Sequence, residues 1–124
     1  MPIDPEILLK KELDEVEGSW TEERVILYNI AVGSSQDPLS KSDLEFTVGS
    51  NPKVIPSFAA CIYPMESVFS IIGSEGLEVS LTSLLHGEQK ITIHKDIPSS
   101  GTAVTKATIT AVEDYKKFAS VTIT

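Results

Sequence analysis

Cysteine, aromatic residues and positive charge are all scarce in this chain. Of 124 residues, one is cysteine, one is tryptophan and 6% are aromatic. A single cysteine rules out an intrachain disulfide, which fits a reducing compartment. Cys61 lies in the apolar run Phe58-Ala59-Ala60-Cys61-Ile62, where a buried, inert thiol is expected rather than a reactive one. Lysine and arginine number 10 against 18 acids, a formal charge of −8. That balance excludes the basic footprint of a nucleic-acid surface and gives no attraction to an anionic membrane face. An anionic ligand would have to be met by lysines gathered locally. No apolar run approaches the roughly 20 residues that span a bilayer. The opening Met1-Pro2-Ile3-Asp4-Pro5 has no basic region followed by an apolar stretch, so it is not a secretory leader. Val121-Thr122-Ile123-Thr124 carries no targeting tail. Solenoid repeats and low-complexity linkers are absent, and no histidine precedes His86.

What remains is a modest globular composition, 41% apolar, at a length that predicts one domain with one small core. Residues 13–16 form a short edge strand at best. Ser19-Trp20-Thr21-Glu22-Glu23 is a helix start: a hydroxyl takes an orphan N–H, and the glutamates face the positive end of the helix dipole. Val25, Tyr28, Ala31 and Val32 follow at helical spacing, and Gly33 stops the helix. Residues 44–48 alternate and are a candidate strand. Pro56 opens a second helix over 57–72, apolar on most sides and therefore buried, with Pro64 breaking or kinking it. Thereafter the period changes to two. Ile91 and Ile93, then Ala103 to Ala111, then Ala119, Val121 and Ile123 are β-branched runs suited to half-buried antiparallel strands, with turns at 98–101 and 114–117. A buried helix followed by an antiparallel meander is an α+β pattern, the sheet curling around the helix. The final run ends in mid-strand at Thr124, an open edge that calls for a partner, a cover or more chain.

Catalytic chemistry is thin. His86-Gly87-Glu88-Gln89 is the densest polar cluster beside apolar sequence. It reads either as a substrate-contacting edge, where Gly87 allows close backbone approach and His86 donates, or as a solvated strand start. His86, Glu88 and His94 share strand parity, but eight strand residues span roughly 26 Å, too far for one metal. Gly33-Ser34-Ser35 follows a helix and lacks the lysine of a phosphate-binding loop. Ser35 and Ser57 have no nominated base that would make either a nucleophile. Lys116-Lys117 is a small basic point that would suit a phosphate or simply an exposed turn.

The order and spacing of several blocks resemble the N-terminal half of MaoC-like, type 2 enoyl-CoA hydratases, as in peroxisomal multifunctional enzymes. The blocks are Ile3-Asp4-Pro5; Trp20-Thr21-Glu22-Glu23 with Leu27-Tyr28-Asn29-Ile30-Ala31-Val32-Gly33; Asp37-Pro38 and Leu44-Glu45-Phe46; Val54-Ile55-Pro56-Ser57-Phe58-Ala59; Leu84-Leu85-His86-Gly87-Glu88-Gln89; and His94-Lys95-Asp96-Ile97-Pro98 with Gly101. The resemblance covers nearly the whole chain. It implies a hot-dog fold, an antiparallel sheet wrapped around a central helix that Pro64 interrupts. It also implies that residues 1–124 are one repeat of a two-repeat enzyme, lacking the last strand and continuing beyond Thr124.

In such enzymes the C-terminal repeat adds water reversibly across a trans-2-enoyl-CoA, giving the (3R)-hydroxyacyl-CoA, with an Asp and a His handling the proton. This chain places Gly33 where that motif has Asp and Ser35 where it has Asn. By resemblance it is the non-catalytic repeat, with no catalytic residue of its own. It would hold acyl-CoA through His86 and Gly87 near the thioester or pantetheine. The family's Asp-Lys-Gly turn matches Asp114-Tyr115-Lys116, with Tyr115 in the lysine position; Lys116 either takes over a phosphate contact or that contact is lost. The resemblance implies no metal and no cofactor beyond the CoA thioester substrate. Its partners would be a catalytic hot-dog repeat or subunit, in a dimer, in peroxisomes if eukaryotic and in cytoplasm if bacterial. A stand-alone thioesterase-like or heteromeric hot-dog subunit, and a plain acyl-CoA-binding domain, are the competing readings.

Overall fold

The computed structural model describes residues 3–63 and 68–124. The chain mixes short helices with antiparallel strands and divides into two compact units, each with its own apolar cluster.

The first unit comprises Met1–Val16, Pro64–Gln89 and Val104–Thr124. Helix α1 (Pro5–Leu8) starts because Asp4 accepts the N–H groups of Glu6 and Ile7, and Pro5 occupies a position whose N–H would be orphaned anyway. It buries Leu8 with Ile71, Leu77 and Ile109, flanked by Leu13, Val112, Val121 and Ile123. Gly76 has φ +87°, and a Cβ there would lie 2.9 Å from Ile7 Cγ2. A glycine is required on both counts. Strands β3 (Ile109–Asp114) and β4 (Ala119–Ile123) form an antiparallel hairpin in which Val112 faces Val121 and Asp114 faces Ala119. The register slips between Ile109 and Ala111, the mark of a bulge.

The second unit comprises Glu17–Tyr63 and Lys90–Ala103. Strand β1 (Val16–Trp20) pairs with β2 (Gly101–Thr105). Trp20 donates its indole N–H to Pro98 O at 2.8 Å. A Cβ on Gly101 would come within 3.1 Å of that indole, so the glycine lets the ring lie flat against the backbone. Helix α2 (Glu22–Ala31) begins where the sequence places it, with Thr21 Oγ1 accepting Arg24 N–H. Its buried stripe is Val25 and Asn29, while Ala31 and Val32 are exposed. Val25 packs with Trp20 and Phe58, and Tyr28 meets Phe58 edge-on at 5.4 Å.

Several segments differ from the sequence reading. The expected strand at 13–16 begins at Val16 instead, and Leu13 turns into the Leu8 cluster. The alternating residues 44–48 do not form a strand. Ser40 caps a short helix, α3 (Lys41–Leu44), by accepting Asp43 N–H, and Val48 N then donates to Leu44 O. Local capping wins over the two-residue period, and among the described residues no strand pairs with this segment. The helix expected over 57–72 with a break at Pro64 is observed as a 3₁₀ turn, Pro56–Phe58, a single turn of α4 (Ala59–Ile62), and helical residues again at 68–69, the residues between 63 and 68 lying outside the described ones. Tyr63 is extended, with ψ 126°, as the residue before a proline must be. Pro64 itself lies outside the described residues. Residues 90–94 alternate as expected but pair with no strand among the described residues. The run from Ala103 to Ala111 is split between β2 and β3. Cys61 is half-buried rather than fully enclosed.

Candidate functional site

The C-terminal end of α2 carries Gly33 and Ser35, the positions where the resemblance expects Asp and Asn. Gly33 N donates to Ile30 O and Ser34 N to Asn29 O, closing the helix. Gly33 is left-handed, with φ +89°, and a Cβ there would lie 3.2 Å from Gln36 Nε2. An aspartate would be strained at this backbone conformation. Ser35 follows at φ 57°, and its hydroxyl donates to Asp43 O in a short contact. That proton is committed to the backbone. His94, the imidazole of this unit, is exposed, and among the described residues it has no hydrogen bond to this helix end. The helix end therefore presents backbone and a satisfied hydroxyl.

The four sequence-derived contact residues all belong to the first unit. His86 is exposed and its Nε2 lies 3.1 Å from Glu88 O. Gly87 is exposed, with open space where a Cβ would be, so close backbone approach by a ligand is sterically free. Tyr115 and Lys116 form the tip of the β3–β4 hairpin. Asp114 Oδ1 accepts Lys116 N at 2.7 Å, Tyr115 N donates to Phe118 O at 2.9 Å, and Lys116 adopts a left-handed φ of 67°. Tyr115 donates its hydroxyl to Glu113 Oε2 at 2.9 Å. This hydrogen bond to Glu113, its charge and slight desolvation raise the phenol pKa, against a smaller lowering by Ser120. Among the described residues, no hydrogen bond or ion pair joins His86 or Gly87 to the Tyr115–Lys116 tip.

The sequence reading missed a cavity of about 450 Å³ in the second unit. Phe46, Val54, Ile93 and Ile97 give it apolar walls, and Lys53 and Asp96 supply charge. Two walls are tied together by Glu22, whose Oε1 accepts Asn51 N at 2.8 Å and Ser99 Oγ at 3.2 Å. Asn29, fully buried, donates its amide to both Phe46 O and Lys53 O, at 2.7 and 2.8 Å, behind the same wall. Lys53 pairs with Glu45. The available signal was Asn29 itself, four residues from Val25 on the inward face, where a polar residue must find partners.

A family model described as the MFE-2 hydratase 2 N-terminal domain matches residues 19–124. The chain belongs to this family. The α+β class read from the sequence is thereby a hot-dog fold, and the chain corresponds to the N-terminal domain of such proteins. Curated relatives agree in kind. Enoyl-CoA hydratase ChsH3 of Mycobacterium tuberculosis is 29% identical over 96% of this chain, which covers 42% of that protein. The peroxisomal enoyl-CoA hydratase 2 of Arabidopsis thaliana is 27% identical over 92% of this chain and 38% of its own length. A probable enoyl-CoA hydratase 2 of Dictyostelium discoideum is 30% identical over 94% of this chain and 39% of its own length. The chain thus spans about two fifths of the length of the curated relatives it matches. In this hydratase 2 N-terminal domain, the closed-off end of α2 is the feature that bears most directly on function.

Proposed function

We propose that this hot-dog domain is the acyl-CoA-holding, non-catalytic half of a trans-2-enoyl-CoA hydratase, the enzyme that interconverts enoyl-CoA and (3R)-hydroxyacyl-CoA in fatty-acid metabolism. The observation that carries the reading is the end of α2. Gly33 is left-handed and Ser35 donates to Asp43 O, so neither can activate water. On this reading residues 1–124 form one repeat, and a catalytic repeat or subunit supplies the carboxylate and imidazole, the whole assembling as a dimer. The chain's own contribution is binding and orientation. His86 and Gly87, both exposed, meet the thioester or pantetheine by hydrogen bonding and close approach, and Tyr115 and Lys116 meet the nucleotide end. The CoA thioester is substrate, and no cofactor or metal is required. The peroxisomal Arabidopsis relative supports a peroxisomal site in a eukaryote; a bacterial host implies cytoplasm.

Calorimetric titration of the chain with hexanoyl-CoA, which cannot be hydrated, tests this reading. Saturable binding is expected, weakened about two- to tenfold by His86→Ala, the size of one hydrogen bond. Absence of binding would remove the basis of the proposal.

A further inference from the structure

Helix α2 grips the walls of the second unit's cavity at two heights. Near its C-terminal end, Asn29 donates its amide to Phe46 O and Lys53 O. In its first turn, Glu22 reaches both walls at once. Glu22 Oε1 accepts Asn51 N at 2.8 Å on one side and lies 3.2 Å from Ser99 Oγ on the other. Ser99 Oγ also lies 2.9 Å from Asn51 Oδ1, so its one proton is shared between the amide oxygen and the carboxylate. Ser99 is only 6% exposed, and a hydroxyl buried to that extent needs such partners. The support is rigid, since Thr21 caps the helix start and Val25 and Asn29 bury its inner face. Glu22, Asn51 and Ser99 all belong to the second unit. The space they frame, about 450 Å³, falls within the roughly 300–1,000 Å³ of small-ligand pockets. Phe46, Val54, Ile93 and Ile97 make its walls apolar. Its charged lining residues, Lys53 and Asp96, are exposed, and Lys53 pairs with Glu45. Such a space gains by enclosing an aliphatic chain.

Resting on the acyl-CoA reading above, we propose that Glu22 is a positioning residue that sets how strongly this cavity discriminates acyl-chain length. Glu22 touches neither the chain nor the reacting carbons. It acts through Asn51 and Ser99, holding residues 46–56 and 93–99 at contact distance from the aliphatic tail. A methylene enclosed between held walls gains about fourfold in affinity. Contact attraction falls steeply with separation, and a gap of about 0.5–1 Å forfeits a quarter to a half of it. Loss of the link therefore shows as a smaller gain per methylene. The carboxylate serves here as a hydrogen-bond acceptor, so a glutamine, which keeps the Oε1 acceptor, preserves the link without the charge.

The test titrates the 124-residue chain and its Glu22→Ala, Glu22→Gln and Ser99→Ala variants with butanoyl-, hexanoyl- and octanoyl-CoA, urea unfolding confirming that each variant is folded. The readout is the affinity gain per methylene, referenced within each variant to butanoyl-CoA, which a general loss of stability does not move. The parent is expected to gain about fourfold per methylene, and Glu22→Ala about twofold. Glu22→Gln should regain the parent's value. Ser99→Ala, which leaves the helix start intact, should lower the gain in the same direction and carries the comparison if Glu22→Ala does not fold. Equal gains in the parent and in these two alanine variants would overturn the inference and leave the acyl-CoA reading in place. So would a parent affinity that does not rise with chain length. A gain lowered as far by Glu22→Gln as by Glu22→Ala would assign the effect to charge and overturn the positioning role. If none of the three thioesters binds the parent, the acyl-CoA reading fails and this inference with it.

Discussion

Asn29 shows how much of this structure depends on single polar groups. Its side-chain amide satisfies two backbone carbonyls, Phe46 O and Lys53 O, inside a fully buried site. Replacement by alanine orphans both acceptors. Asn29→Ala is therefore expected to cost about 3 kcal/mol, read from the urea midpoint at unchanged slope. Tyr115 makes a different kind of prediction. Its pKa is raised, chiefly by the hydrogen bond to Glu113. A raised folded-state value means that the contact stabilises the hairpin below the unfolded tyrosine pKa and is lost as pH rises through the folded one. The Tyr115 ring carbons should titrate above an ordinary tyrosine, and Glu113→Gln should bring that titration down. No change on Glu113→Gln would mean that the hydroxyl does not bond this carboxylate in solution.

Among the elements, those with local instructions were legible in the sequence. Helix α2 starts at Glu22 because Thr21 accepts Arg24 N–H and two glutamates occupy its first turn. Thr21→Ala should accordingly destabilise the domain by about 1 kcal/mol, measurable by thermal or urea unfolding. The hairpin β3–β4 was equally legible, since its period of two and the turn at Asp114 act within a few residues. Residues 44–48 and 90–94 alternate just as well but form no ladder among the described residues. Alternation gives a segment two faces, while pairing requires a neighbour that sequence distance conceals. The apolar stretch 57–72 is interrupted where Pro64 predicts a break: α4 stops at Ile62 and Tyr63 is extended, and residues 68–69 are again helical. The cavity was invisible for a related reason. Its walls come from 46–56 and 93–99, and the Glu22–Asn51–Ser99 link that joins them leaves no periodic trace.

At the scale of the whole molecule, the family and the proposed division of labour rest on different observations. The family follows from the match over residues 19–124. The proposed division of labour rests on one helix end, where a left-handed glycine and a serine hydroxyl bonded to Asp43 O stand. The chain spans about two fifths of the length of its curated relatives. The most direct test is hydration of crotonyl-CoA by the purified 124-residue chain, followed as loss of the enoyl absorbance, with a relative spanning both halves as the active control. The structure predicts no turnover above buffer. Turnover by the chain alone that His86→Ala abolishes would contradict it.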